Sequence, residues 1–215
     1  MVLMNLGFCY YIYIMKFLIL LFCFCSLQIV KTPSASNMPH KVSVLDSLKK
    51  KAKEIDQYVY KHQKELLVFA KVPGKSKLVR VIKENWPDAT EYTYNILKDS
   101  TGHIIMIAQM PYSESGDWYI EYKNYFDNNG KTFCFSKRET VFDDSVKGGI
   151  AMEQLFNYYD LNFNLLGKID KLTDKDEKTI KRKKTDFDFP GYKYSIYKNL
   201  HECLVNYQIQ SSALK

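Results

Sequence analysis

The sequence predicts an α+β fold. An N-terminal amphipathic helix leads into an antiparallel meander of about six strands, and a C-terminal helix closes the chain. Three observations carry this. Apolar residues recur at alternating spacings of three and four early in the chain. From residue 91 the grammar changes to period two, broken by short turn phrases. A second helical stripe ends the sequence. A period of 3.6 places residues on one helix face, and a period of two places them on one face of a strand.

The first helix is expected over residues 43–71. Leu45, Leu48, Ala52, Ile55, Val59, His62, Leu66 and Phe69 form its stripe, with lysines between them. Ser43 followed by Asp46 has the spacing of a capping box, in which each side chain satisfies a free amide of the first turn. Pro73-Gly74 is the expected stop. Such a stripe suits a helix docked on a sheet better than a coiled coil, because Ala52 and His62 weaken a seam.

Strands follow as EYTYNILKD, HIIMIAQM, WYIEYKNYF, KTFCFSKRETVF, IAMEQLFNYYDL and NLLGKIDKL. Their connections include STG, DNNG and a looser DLNFN. Asn129-Gly130 supplies the positive φ that short hairpins need. Sequential strands with short connections pair with their neighbours, which gives a meander. The Tyr-Phe-Asp-x-x-Gly-Lys phrase resembles hairpins common in bacterial exported proteins. The likeness covers short segments and implies neither an activity nor a site. TDKDEKTIKRKKTD reads as an exposed charged segment or short helix, and FDFPGYKYS as a breaker-rich link. In the last helix Ile196, Leu200, Cys203, Leu204 and Tyr207 share a face.

The beginning of the chain reads as a leader. Met15 and Lys16 precede an apolar run at 17–27, and small residues follow at Ser34-Ala35-Ser36. That is a secretory signal with cleavage expected after Ser36 and a true start at Met15. The domain division is then a signal peptide at 1–36, a linker at 37–42, and a single α+β domain at 43–215. An uncleaved membrane anchor is the alternative. Lipidation at Cys23 or Cys25 is disfavoured by the bulky Phe22 and Phe24 before them. The expected location is the periplasm, the cell envelope or the medium, with membrane contact only through an uncleaved leader.

The formal charge of +7 is spread in blocks. Residues 41–84 hold 12 basic and 5 acidic side chains, whereas residues 86–180 hold 10 basic and 16 acidic. This alternation argues against nucleic acid, which calls for basic charge gathered on one face. KRKK at 181–184 has the charge to meet an anionic lipid or polyanion, but four charges without interleaved aromatics are a weak signal for either.

Candidate sites are few. His40, His62, His103 and His201 have no motif around them. The loop at 113–118 combines Ser113, Ser115, Asp117 and Trp118 with a flexible glycine, and loops concentrate binding residues. It lacks the glycine-flanked elbow that exposes a nucleophilic serine. Strand alternation puts Trp118, Ile120, Tyr122, Asn124 and Phe126 toward the core. Tyr119, Glu121, Lys123 and Tyr125 then form a wet face, with Tyr119 and Tyr125 as binding residues. Cys134 and Cys203 are candidates for a disulfide or for two buried thiols. No zinc spacing, complete calcium loop or phosphate-cradling glycine loop is present, so no metal or cofactor is expected.

The function expected from the sequence is that of an exported bacterial binding module without catalysis. Its partner would be a peptide, glycan, lipid or envelope protein. The alternatives are a small hydrolase built on the 113–118 loop and an anchored structural protein of the envelope.

Overall fold

The computed structural model describes residues 44–214. The leader, the linker and the Ser43 cap lie outside them. The described residues belong to one compact unit. Helix α1 (Val44–Lys61) is followed by strands β1 (Leu67–Lys71), β2 (Val79–Val81), β3 (Tyr92–Lys98) and β4 (Ile104–Pro111). Then come β5 (Trp118–Phe126), β6 (Thr132–Phe142), β7 (Ile150–Tyr159), β8 (Leu165–Asp174) and helix α2 (Leu200–Asn206). All eight strands form one antiparallel sheet in the order β2-β1-β3-β4-β5-β6-β7-β8.

The architecture is α+β as expected, but the sheet has eight strands rather than six. The two additional strands come from the far end of the expected helix and the segment after it. Leu66, Leu67, Val68, Phe69 and Ala70 are five apolar residues in succession. Such a run leaves no polar face for a surface helix, so the helix ends at Lys61 and β1 starts at Leu67. Phe69 and Ala70, adjacent in the strand, are both buried. The Pro73-Gly74 stop is instead the turn into β2, with Gly74 at φ +73°.

Four of the turns share one construction. Asp99, Asp127, Asp160 and Asp174 each end a strand or follow it directly. In each, the N–H three residues on donates to the Asp carbonyl, and the Asp N–H donates to the carbonyl four residues on. One carboxylate oxygen accepts the amides two and four residues ahead, at 2.8–2.9 Å. The fourth position has positive φ: Gly102, Gly130, Phe163 and Glu177. The strands before the first three of these turns shift register by one residue just ahead of the Asp. A type I turn followed by a left-handed residue and a bulge produces this geometry.

Both faces of the sheet are covered. On one face Ala52 and Ile55 of α1 pack on Leu97, Met106, Ala108, Tyr125, Cys134 and Tyr158. On the other, the chain after β8 crosses as an extended strap from Phe187 to Lys198 and ends in α2. Tyr192 packs on Trp118 at 5.2 Å between ring centroids, and Tyr194 stacks on Tyr122 and Phe135 at 5.1 and 5.3 Å. Asn199 caps α2 by accepting the Glu202 N–H at 2.9 Å. Helix α2 then buries Cys203 against Phe69, Tyr94, Ile96, Ile107 and Phe126. In place of a short helix, the charged segment before the strap has the Asp174 turn and a three-residue 3-10 turn, Lys184–Asp186.

Gly130 sits at φ +72°, and a Cβ there would lie 3.4 Å from the Leu200 Cβ. Gly130→Val should therefore destabilise the domain by about 1–3 kcal/mol, because a β-branched residue resists that backbone region. A chemical denaturation midpoint equal to wild type would refute the turn assignment.

Candidate functional site

One concavity among the described residues, a cleft of about 470 Å³, lies where the start of α1 crosses the ends of β6 and β7. Helical spacing puts Val44, Leu48 and Lys51 on the side of α1 that lines it. Phe133 and Tyr159 come from the sheet, and Leu161 from the β7–β8 turn. Leu45 lies against Gly167, where a Cβ would come within 2.9 Å of a leucine methyl. The absence of a side chain there lets the start of α1 approach β8. Val44 and Leu161 are 68% and 69% exposed, so the mouth of the cleft is apolar and open to solvent.

Charged groups ring this cleft: Lys51, Lys131, Asp127 and Asp160. The Asp127 and Asp160 carboxylates accept amides of their own turns. The Asp160 carboxyl lies below the usual range, first because of the Asn164 side-chain amide and then because of the turn N–H groups. Lys131 donates to the Leu161 carbonyl at 2.9 Å. The Lys51 ammonium lies 4.7 Å from the centre of the Phe133 ring, a cation–π contact.

A polar cluster sits under the strap. Lys137 and Lys184 each contact both Glu139 and Glu153, at 2.5–3.0 Å. Glu139 and Glu153 are directly opposite on β6 and β7, where two bare carboxylates would repel. Burial works against ionising Glu153, but its hydrogen bonds with Glu139, Lys137 and Lys184 outweigh that and hold it below the ordinary range. Lys184 is pushed up: burial opposes its charge, and the two glutamates more than offset it. Each amine is matched by a carboxylate, and the cluster clamps the strap to the sheet.

The 113–118 loop joins β4 to β5. Ser113 Oγ accepts the Gly116 N–H at 3.0 Å and Ser115 Oγ approaches the Asp117 N–H at 3.4 Å, so both hydroxyls serve the turn. His103 begins the other end of β4, bonded to Thr101 at 2.8 Å. His201 lines a groove at that same end, beside His103. His62 stacks on Tyr58 and bonds Glu65 at 2.9 Å. The structure thus does not bring Ser113, Ser115 or Asp117 together with His103 or His201. His40 lies outside the described residues. Trp118 is half-buried and packs on the strap through Tyr192.

Strand β5 bears out the inward set from Trp118 to Phe126 but corrects the wet face. Tyr119 is 42% exposed, whereas Tyr125 is fully buried. The cause is α1, which crosses the lower part of that face. Asp56 of α1 accepts from the Tyr125 hydroxyl at 2.9 Å and from Lys123 at 3.0 Å. Burial, followed by the Asp56 charge, pushes the Tyr125 phenol well above its usual value. Cys134 and Cys203 are free, buried thiols in different core clusters, one under α1 and the other under α2. The sheet stands between them, so the disulfide alternative is replaced by the two-thiol one. Burial raises both thiols, which keeps them protonated.

Among the described residues no group of three His, Cys, Asp or Glu side chains could hold a metal ion. No helix among them is long and apolar enough to cross a membrane. No known protein family, curated protein or solved structure matches the chain.

The sequence reading missed the cleft. Leu48 was visible as part of the helical stripe, and Leu161 as a large apolar residue at a turn tip. Their meeting with Phe133 depends on the crossing of α1 over β6 and β7, which no local pattern encodes.

Tyr125→Ala should cost about 3–5 kcal/mol, as aromatic truncations in cores do. Tyr119→Ala should stay within about 0.5 kcal/mol. Thermal melts of the two variants test the register, and equal losses would contradict it. The ion cluster gives a pH test. A depressed carboxyl contributes stability above its unfolded value, about 4.3, and loses it as pH falls through the folded value. Lys184→Met should therefore lower the melting temperature at pH 7, and the gap to wild type should narrow below about pH 4. A gap that is constant from pH 7 to pH 3 would remove the clamp.

Proposed function

We propose that the chain is an exported bacterial binding module that takes a ligand into the cleft between α1 and the sheet. One observation carries the reading: a 470 Å³ concavity with an apolar wall and a few charged groups at its mouth. Ligand sites are typically concave, largely apolar and about 300–1,000 Å³, with a small number of placed polar groups. The wall is rigid where it matters, because Phe133 and Tyr159 belong to interior strands and Leu48 to a docked helix. Export rests on the leader pattern at 15–36. Intact-mass measurement of the secreted protein should show loss of everything up to Ser36, and a secreted chain that keeps Met15 would count against it.

Binding is tested by titrating the protein with decanol and following backbone amide resonances. Saturable shifts should gather at Leu48, Phe133 and Tyr159. Leu161→Arg, at an exposed position that leaves the core intact, should weaken them several-fold. Shifts spread over the surface, or none, would sink the reading.

A further inference from the structure

We propose that two copies of the chain join through β8, antiparallel about a two-fold axis at Ile169, into one continuous sheet. This edge is distinct from the cleft, which none of residues 167–171 lines. The sheet ends in β2 on one side and β8 on the other. Strand β2 has three residues, and a short edge offers a second chain little to pair with. Strand β8 has ten. Its last residues are covered, because the chain doubles back there: Thr173 bridges Thr179, and the Ile180 N–H donates to the Leu172 carbonyl. That bond also fixes the direction of the main chain. Leu172 turns its polar groups away from β7, and alternate residues of an antiparallel strand do likewise, so Asp170 and Lys168 also turn theirs outward. Among the described residues nothing takes up those amides and carbonyls.

The pattern of side chains along the edge selects the occupant. Lys168 and Asp170 lie on the same side as Leu172, which packs on the Phe187 cluster under the strap. Both are about half exposed, and they pair with each other at 3.1 Å. Ile169 lies on the α1 side. With the two strands antiparallel about Ile169, each Lys168 falls opposite the second copy's Asp170. Such a pair exchanges both main-chain hydrogen bonds, since both residues turn their polar groups outward. A shift by two residues sets Lys168 against Lys168 or Asp170 against Asp170, and like charges directly opposite destabilise a pair. A shift by one residue brings side chains to the wrong face and sets inward-turned amides against the second strand. Charges on an edge ordinarily keep other strands away. This order of charges admits a strand that repeats it in reverse, as a second copy of the chain does. Exposed ion pairs are weak, so the charges choose the register and the backbone bonds hold it. Pairing about a two-fold axis is closed, and with the short β2 at both outer edges the assembly stops at a dimer.

The test is sedimentation equilibrium of the full chain and its charge variants. Wild type should dimerise with a Kd below about 1 mM. Lys168→Asp and Asp170→Lys each set like charges opposite one another on both sides of the axis, and each should weaken the dimer at least tenfold. The double variant Lys168→Asp/Asp170→Lys restores the complementarity in reverse and should return to within about twofold of wild type. An equimolar mixture of the two single variants should form a heterodimer, because one brings amines where the other brings carboxylates. Position is checked by cross-linking. Cβ atoms facing each other across the axis lie about 4.5–5.5 Å apart, so Ile169→Cys should give a disulfide-linked dimer on mild oxidation. Lys171→Cys, opposite Gly167 of the second copy, should not link. The native thiols are buried and stay out of the reaction. A monomeric wild type, a dimer indifferent to both single reversals, or a double reversal no better than the singles would overturn the proposal. Linkage through Lys171→Cys but not Ile169→Cys would overturn it as well.

Discussion

Cys134 and Phe135 are neighbours in β6, and both are fully buried. Neighbours in a strand point to opposite sides, so the middle of this sheet has no face that tolerates water. Every other feature answers that constraint. The strand is buried without a break from Thr132 to Lys137, and it needs a cover above and below. Helix α1 supplies one and the strap with α2 the other. The two covers differ in kind: one is a regular helix, and the other is extended chain held by rings and an ion cluster. A helix brings its own backbone hydrogen bonds. The strap makes few with the sheet, among them the Thr132 N–H to the Lys198 carbonyl at 3.0 Å. Its attachment therefore rests on side chains, which explains why so many aromatic residues fall in 187–197.

The polar groups enclosed by these covers follow the same logic. Burying a charge is tolerated only with a partner and hydrogen bonds. Under α1, Lys123 bridges Asp56 and Glu121 at 3.0 Å each. Under the strap, Lys137 and Lys184 bridge Glu139 and Glu153. Each cover thus brings one charged residue of its own to a set on the sheet: Lys184 matches the second of two glutamates that face one lysine, and Asp56 joins the Lys123–Glu121 pair as a second acceptor for the same amine. These pairs fix where a cover sits more than they strengthen it, since apolar packing would hold a cover at any offset. The cleft depends on that placement. With Asp56 anchored on β5, the first turns of α1 come to rest over Phe133 and Tyr159.

Much of the fold was legible because its signals are local. Six strands and their turns follow from alternation and from Asp-x-x-Gly phrases, and the last helix from its apolar stripe. The failures share a cause. Phe69 continued the helical spacing from Leu66, so periodicity favoured one long helix. The unbroken apolar run that makes β1 a buried strand was the competing signal. Tyr125 was placed in solvent because alternation assigns sides without saying what covers them, and only the path of α1 decides. Tyr192, Tyr194 and Ile196 alternate toward the sheet, yet Pro190-Gly191 ahead of them made the segment read as a link. The cleft, built from a helix, two strands and a turn, has no signature of its own.

The strap also sets the order in which the structure can be completed. The Asp-headed hairpins close over a few residues, and hairpins of this kind form in microseconds. Strands β3 to β8 can zip together through neighbours. The second cover comes from residues 187–206 and must find rings contributed some seventy positions earlier, such as Tyr122 for Tyr194. Until it does, the ring-bearing face of β5 and β6 stands open to water and to other chains. A chain emerging in order from a ribosome exposes that face until residues 187–206 are free. The interval before they emerge is therefore when this sheet most needs a chaperone or dilution.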